Sequence, residues 1–435
     1  MSVFPHSALL IRAALLLLLL SGFRSASAEL VGEIKKGVLG AIPIAVVPFG
    51  GAQQSGENIA EIVARDLERT GRFRPLPASD MLDQPTLPNQ VRLQSWQVLG
   101  QEYLLIGRTQ PAGGSQFVAE FSLFDVVRGS SLLDFRIPFG AREQRRTAHR
   151  IADMVYQKIL GEAAGLAAPV AFVTMTGRLA KDRRYALQVA DAEGLEPETI
   201  LSSKEPIMSP AWSPDGKRIA YVSFENKTSA IFVQTLADGS RTKVSDNPGI
   251  NGAPAWSPDG RQLALTLSKD GDPDIYLLEI ASRSLRRLTD HRGIDTEPHW
   301  SPDGRSIVFT SNRGGRPQLY LVSAAGGEAQ RLTFQGDYNA RGVFSPDGAS
   351  IAMVHGVGGS YRIALLDLAS RSVRVISSGP LDESPGFSPD GRRVLFSARN
   401  AGVAQLIAVP VNGGPPEILK VVGSEARQPA WSPKD

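Results

Sequence analysis

The 435-residue chain contains no cysteine. That one absence excludes disulfide staples, a thiol nucleophile, thiolate zinc sites and iron–sulfur clusters. Charge of one sign is also missing: 47 bases against 44 acids leave a formal charge of +3, so no basic nucleic-acid surface is indicated. No apolar run reaches the ~20 residues a membrane span needs, because Arg12 and Arg24 bracket the longest one. Catalytic signatures are lacking as well: there is no Gly-x-Ser-x-Gly, His-Glu-x-x-His, phosphate-binding glycine loop or Gly-x-Gly-x-x-Gly.

What is present begins with a leader. Residues 1–28 combine a positive start, an apolar stretch over 13–20 and an Ala-Ser-Ala site ending at Ala28, the pattern of a cleavable secretory signal. Its removal takes Arg12 and Arg24 and no acid, so the mature chain from Glu29 is closer to neutral. An exported chain without cysteine must be held by its core alone, although its compartment would permit disulfides.

Six copies of one motif dominate the C-terminal two thirds. Ala211-Trp212-Ser213-Pro214-Asp215-Gly216 recurs with variation, and Trp212, Trp256, Trp300, Phe344, Phe387 and Trp431 are spaced 44, 44, 44, 43 and 44 residues apart. A period near 44 with four short β-patterned runs per unit is that of propeller blades. Ser-Pro-Asp-Gly itself is a turn, with proline preset for its first corner and glycine for the left-handed residue that follows. The last inner strand, residues 428–431, has nothing after it, while runs at 170–175, 184–190 and 198–202 have no inner strand before them. The sequence therefore predicts a sixth blade assembled from both ends of the domain, which removes an exposed sheet edge.

Before residue 170 the period is absent. A β-run over 42–48, helical faces over 59–70 and 147–160, and strands at 103–108, 116–125 and 132–137 predict a small α/β domain over residues 29–161. Residues 162–169, small and weakly patterned, read as the linker to an all-β six-bladed propeller over 170–435.

Chemistry-bearing candidates weigh toward structure. Asp270-Gly271-Asp272-Pro273-Asp274 resembles the start of a calcium loop but has Ile275 and Ala281 at the sixth and twelfth positions, so it reads as a polar hairpin. The turn aspartates fall in different blades, and His149 and His299 have no sequence-local partners for triad or metal chemistry. The segments leading into the inner strands are more informative, since such connections gather around one mouth of a central channel. Residues 206–209, 249–254, 294–298, 338–342, 381–385 and 425–429 mix acids (Asp295, Glu297, Asp382, Glu383, Glu425), bases (Arg341, Arg427) and amides (Asn251, Asn339). That mixture suits docking of a protein or peptide better than a single reaction.

With these segments on the page, the chain resembles the TolB family, periplasmic components of the Tol–Pal system of Gram-negative bacteria. The resemblance covers the whole mature chain. It is carried by Ala-Ile-Pro-Ile-Ala-Val-Val-Pro-Phe at 41–49, Ser-Pro-Ala-Trp-Ser-Pro-Asp-Gly at 209–216, Asn-Gly-Ala-Pro-Ala-Trp at 251–256, Thr296-Glu297-Pro298, Gly-Gly-Arg-Pro-Gln-Leu-Tyr at 314–320 and Leu-Asp-Glu-Ser-Pro at 381–385. It implies that the mouth binds the lipoprotein Pal, with Ala253, Thr296 and Glu297 in the matching loops and Asn251, Asp382 and Glu383 beside them. Ile250 stands where some members have histidine. It also implies that the mature N-terminus binds the inner-membrane protein TolA through Glu29, Leu30, Val31, Gly32, Glu33 and Ile34, within a segment over 29–40.

The expected function is a non-enzymatic adaptor that supports outer-membrane integrity and envelope constriction at division. It needs no cofactor, spans no membrane, binds no nucleic acid, and leaves room for further outer-membrane or periplasmic partners. Residues 29–40, able either to pack as an edge strand or to be released, would form the switch that mouth binding biases. The rival is a hydrolase. A prolyl-oligopeptidase-type enzyme needs a serine-elbow domain for which the chain has no room, leaving a propeller hydrolase with a channel-bound metal. A channel calcium without catalysis is compatible with the sequence.

Overall fold

The computed structural model describes residues 40–51, 57–177, 179–400, 402–421 and 425–433. The leader over 1–28 and the segment Glu29 to Ile34 lie outside the described residues.

Residues 42–433 form one compact unit built of two parts. The first is a sheet in the order β3-β1-β4-β5-β6, from β1 (Ile42–Val46), β3 (Phe73–Pro75), β4 (Tyr103–Pro111), β5 (Gln116–Asp125) and β6 (Ser130–Gly140), with the short β2 (Gly50–Gly51) also on β4. β1 runs parallel to β3 and β4, whereas β4, β5 and β6 are antiparallel.

Helix α1 (Ile59–Arg69) starts where the Asn58 side chain accepts the Ala60 N–H at 2.9 Å, and its Ile59, Ile62, Val63 and Leu67 stripe is buried. Helix α3 (Gln144–Leu160) ends at left-handed Gly161 and starts three residues earlier than the sequence pattern predicts. That first turn is polar, yet Gln144 and Arg145 are buried against other polar groups. α1 and α3 cover one sheet face, joining Ile151, Val155 and Tyr156 to Ile44, Leu105 and Leu123. The short α2 (Leu93–Val98) places Trp96 on the opposite face, against Ala45, Leu104 and Ile106.

The second part is six four-stranded antiparallel sheets. Their inner strands are Ile207–Trp212, Asn251–Trp256, Asp295–Trp300, Tyr338–Phe344, Asp382–Phe387 and Glu425–Trp431, in blades 1 to 6. Blade 6 is completed by Val170–Thr176, Arg184–Ala190 and Glu198–Ser203, with Trp431 opposite Val170. Its inner strand reaches back to Glu425, beyond the predicted 428–431, because a bulge interrupts the ladder between Arg427 and Ala430.

Each Ser-Pro-Asp-Gly turn closes on itself. Ser213 Oγ accepts the Arg218 N–H at 2.9 Å, Asp215 accepts the Lys217 N–H at 3.1 Å, and Gly216 takes φ +69°. In blades 1 and 2 the tryptophan before the turn stitches neighbouring blades together: Trp256 Nε1 donates to Ala211 O at 3.1 Å, and Trp212 Nε1 to Ala430 O at 2.9 Å. Asp270 accepts from the Tyr276 hydroxyl at 2.6 Å, and the buried Asp274 pairs with Arg287.

The two parts are joined by packed chain and by charge. In the 162–169 stretch Ala164, Leu166 and Ala168 are buried, and Asp153 accepts the N–H groups of Leu166 (2.8 Å) and Ala167 (2.7 Å). Beside it, Asp191 and Glu193, in the turn between the two outer strands of blade 6 (Arg184–Ala190 and Glu198–Ser203), meet the helices. Arg145 pairs with Asp191 at 2.9 Å and also with Glu193, and Arg65 pairs with Glu193 at 2.7 Å. His149 lies between Asp66 (2.5 Å) and Asp191 (3.3 Å). Burial opposes the imidazolium, but the Asp66 and Asp191 carboxylates outweigh it and hold the His149 pKa up at about 9.

Candidate functional site: the channel mouth

All six inner strands line one channel of about 480 Å³ along the propeller axis. Each strand starts at the mouth, and those of blades 1 to 5 end at a Ser-Pro-Asp-Gly turn. The helical domain meets the turn end: Arg392, in the turn of blade 5, donates to the Tyr156 hydroxyl at 2.6 Å. The mouth is the face away from that contact.

A repeated irregularity builds the throat. Every inner strand shifts register partway along. At the shift a non-glycine residue adopts the left-handed conformation: Ser209, Ala253, Glu297, Arg341, Ser384 and Gln428, with φ from +45° to +57°. Such a conformation costs of order 1 kcal/mol or more per residue, and bulges tolerate it where a side chain must be re-aimed. Here all six residues line the channel.

The ring they form is lopsided. Arg341 Nε donates to Glu297 Oε1 at 2.6 Å, its backbone N–H reaches Glu297 Oε2 at 3.2 Å, and its Nη1 donates to Ser384 Oγ. Thr310 Oγ1 donates to Glu297 Oε2 at 3.0 Å. On the far side Gln428 accepts the Ser209 N–H at 2.7 Å, and Ala253 offers only a methyl. One wall of the throat is thus a preassembled charged network and the other is small and neutral.

Outside the throat the rim is apolar. Ile250, Ile294 and Leu381, each just before its inner strand, are nearly half exposed, as is part of Met208. Large apolar side chains held open around a polar centre are characteristic of surfaces that become covered.

The sequence candidates divide here. Ala253 and Glu297 are throat residues, Thr296 lies beside them within 3.3 Å of Thr266, and Glu383 is exposed on the mouth. Asn251 and Asp382 are buried and face inward. Asn251 accepts from Ser245 Oγ (2.6 Å) and the Asn247 N–H (2.9 Å), and Asp382 accepts from Ser377 Oγ and, at 3.1 Å, the Gly379 N–H. Both begin inner strands, as does buried Asp295, paired with Arg313 at 2.6 Å, and buried Asn339 is the second residue of its strand. These four polar groups fasten the loops that carry the rim rather than presenting themselves.

Ser209, Ser384 and Gln428 were not singled out by the sequence. The available signal was positional: five of the six throat residues precede a proline at the blade period. Among the described residues no group of three or more His, Asp or Glu is arranged to hold a metal ion. His299 lines the channel half-buried, and desolvation there lowers its pKa to about 4.

An α/β domain joined to a six-bladed propeller with an open throat and an apolar rim defines a class of two-part propeller proteins. Comparison with known proteins gives the particular family. Residues 31–132 match the TolB amino-terminal domain and residues 156–435 the TolB beta propeller domain. The chain is 64% identical over 416 residues to the Tol-Pal system protein TolB of Methylococcus capsulatus, covering 96% of this chain and 97% of that one. It is 54% identical to the Tol-Pal system protein TolB of Thioalkalivibrio sulfidiphilus, covering 98% of each. The crystal structure of TolB from Acinetobacter baumannii superposes with a TM-score of 0.80 at 38% identity, over 91% of this chain and 97% of that chain. The chain belongs to the TolB family, as the sequence resemblance implies.

Proposed function

We propose that this protein is a non-enzymatic periplasmic adaptor of the Tol–Pal system, exported by residues 1–28, that binds Pal at the propeller mouth and TolA through Glu29 to Ile34. On this reading residues 29–161 and 170–435 are its domains, joined through 162–169. It works without a cofactor, and its exchange of partners supports outer-membrane integrity and envelope constriction at division. No helix among the described residues is long and apolar enough to cross a membrane.

The observation that carries the reading is the mouth itself, an exposed apolar rim around the preassembled Glu297–Arg341–Ser384 network. Burying such a rim supplies affinity, and the fixed polar throat supplies selectivity. A hydrolase reading lacks comparable support, since Glu297 is already engaged by Arg341 and Thr310.

Titration calorimetry with the soluble domain of Pal tests the mouth. Glu297→Lys is expected to weaken binding at least tenfold with an unchanged melting temperature, and an unchanged affinity removes this loop from the interface. Deleting residues 29–40 should abolish capture of TolA while leaving Pal binding intact or stronger. Loss of both would count against a switch.

A further inference from the structure

The throat alone is too small to be a whole protein interface. A stable complex buries ~800 Å² on each partner, whereas the channel is a narrow space of about 480 Å³. Surface beside the mouth must contribute, and the mouth face is not uniform around its circumference.

Blades 3 and 4 carry its aromatic side. The loop over residues 334–337 joins the outermost strand of blade 3 (Gln330–Arg331) to the inner strand of blade 4, so it lies on the mouth face. Phe334 in this loop is 72% exposed, the most exposed aromatic side chain among the described residues. Tyr338, which follows the loop, packs edge-on against Tyr361 with ring centroids 5.2 Å apart, and Tyr361 bridges to the rim residue Leu381.

Phe334 is held still rather than left on a loose loop. The Arg331 guanidinium lies 5.0 Å from its ring centroid and donates to Thr333 O at 2.7 Å. On the other side Asn339 Nδ2 donates to Gln335 O at 2.7 Å, and the Asp337 N–H to Gly356 O at 2.9 Å. Gly336 has φ +81°, and a Cβ there would meet the His355 ring at 2.5 Å, so the loop is fixed in this one shape. A preordered aromatic with a cation on its face loses little entropy on binding, which is the profile of an interface hot spot.

We propose that the partner bound at the mouth extends outward over the blade 3–4 side, with Phe334 inserting into an apolar pocket of that same partner. This rests on the mouth being the Pal-binding face. It adds a second contact outside the throat, continuous with the rim through Tyr338, Tyr361 and Leu381.

The test measures affinity of the full chain for the soluble domain of Pal by calorimetry, with thermal melts on each variant. Phe334→Ala is expected to weaken binding at least tenfold at an unchanged melting temperature, and Phe334→Leu to recover part of the loss. Val375→Ala, a truncation of another exposed apolar side chain (42%) on the outer strand of blade 4, should stay within twofold of the parent. If Phe334→Ala stays within twofold while Glu297→Lys loses binding, the extended footprint is wrong and the mouth reading stands. If the parent chain does not bind Pal, both fall. Sedimentation of the chain alone adds one arm: a dimer that Phe334→Ala dissolves would assign this surface to a second copy and overturn the proposal.

Discussion

The channel mouth and the domain junction are both rich in charge, and they use it in opposite ways. At the junction Asp66, Arg145, His149 and Glu193 are buried together beside the half-buried Asp191, and their partners come from within the chain. At the mouth Glu297 and Arg341 remain partly open to the channel, inside a rim of exposed isoleucine and leucine. A buried ion cluster tolerates little displacement, because separating any pair leaves a charge without water or partner. An open pair can trade one partner for another at small cost. The junction therefore suits cohesion between the two parts, and the mouth suits recognition.

The sharpest way to break this contrast is Glu193→Ala. The change leaves Arg65, Arg69 and Arg145 without a shared carboxylate, with an expected loss of about 3 kcal/mol or more. Calorimetric melting would show it, and an unmoved melting temperature would mean that the cluster contributes little cohesion.

Next comes pH. Burial works against the His149 charge, yet Asp66 and Asp191 raise its pKa to about 9, above the ordinary 6.5. A raised histidine stabilises the folded state fully below pH 6.5, and that contribution is lost as pH rises through about 9. The shift corresponds to roughly 3 kcal/mol at 1.36 kcal/mol per unit. Stability should decline between pH 6.5 and 9.5 in the parent and stay flatter in His149→Gln, as chemical denaturation at a series of pH values would show.

The smallest effect sharpens the boundary at the mouth. Asn251→Ala deletes buried hydrogen bonds to Ser245 and Asn247 and should cost about 1–3 kcal/mol. Affinity for the mouth partner, measured below the melting range, should remain within twofold. A large loss of affinity at full stability would return Asn251 to the binding surface.

The propeller was legible because each blade repeats the same turn, so six copies of one local signal report a single global period. Closure of blade 6 could be read from strands left over at either end. The throat ring was only half legible. Ala253 and Glu297 lay in motif segments, but nothing in Ser209 or Gln428 as residue types announces a left-handed bulge, which arises where two strands fall out of register. The burial of Asn251 and Asp382 was not legible for a related reason: a polar residue at a loop edge looks alike whether it faces solvent or caps the loop from inside. The junction was not legible at all, because His149 meets Asp66 and Asp191 only once three separate elements have packed.

The pairing of Glu425–Trp431 with Val170–Thr176 bears on the order of assembly as well as on the finished ring. Blades 1 to 5 are each local in sequence and can form as the chain lengthens, but the sixth waits for a strand made after all the others. Until that strand arrives, Val170–Thr176 presents an unpaired edge on its inner side. A chaperone or protease that reads open strands would therefore find its target in nascent or C-terminally clipped chains and lose it once Trp431 is in place.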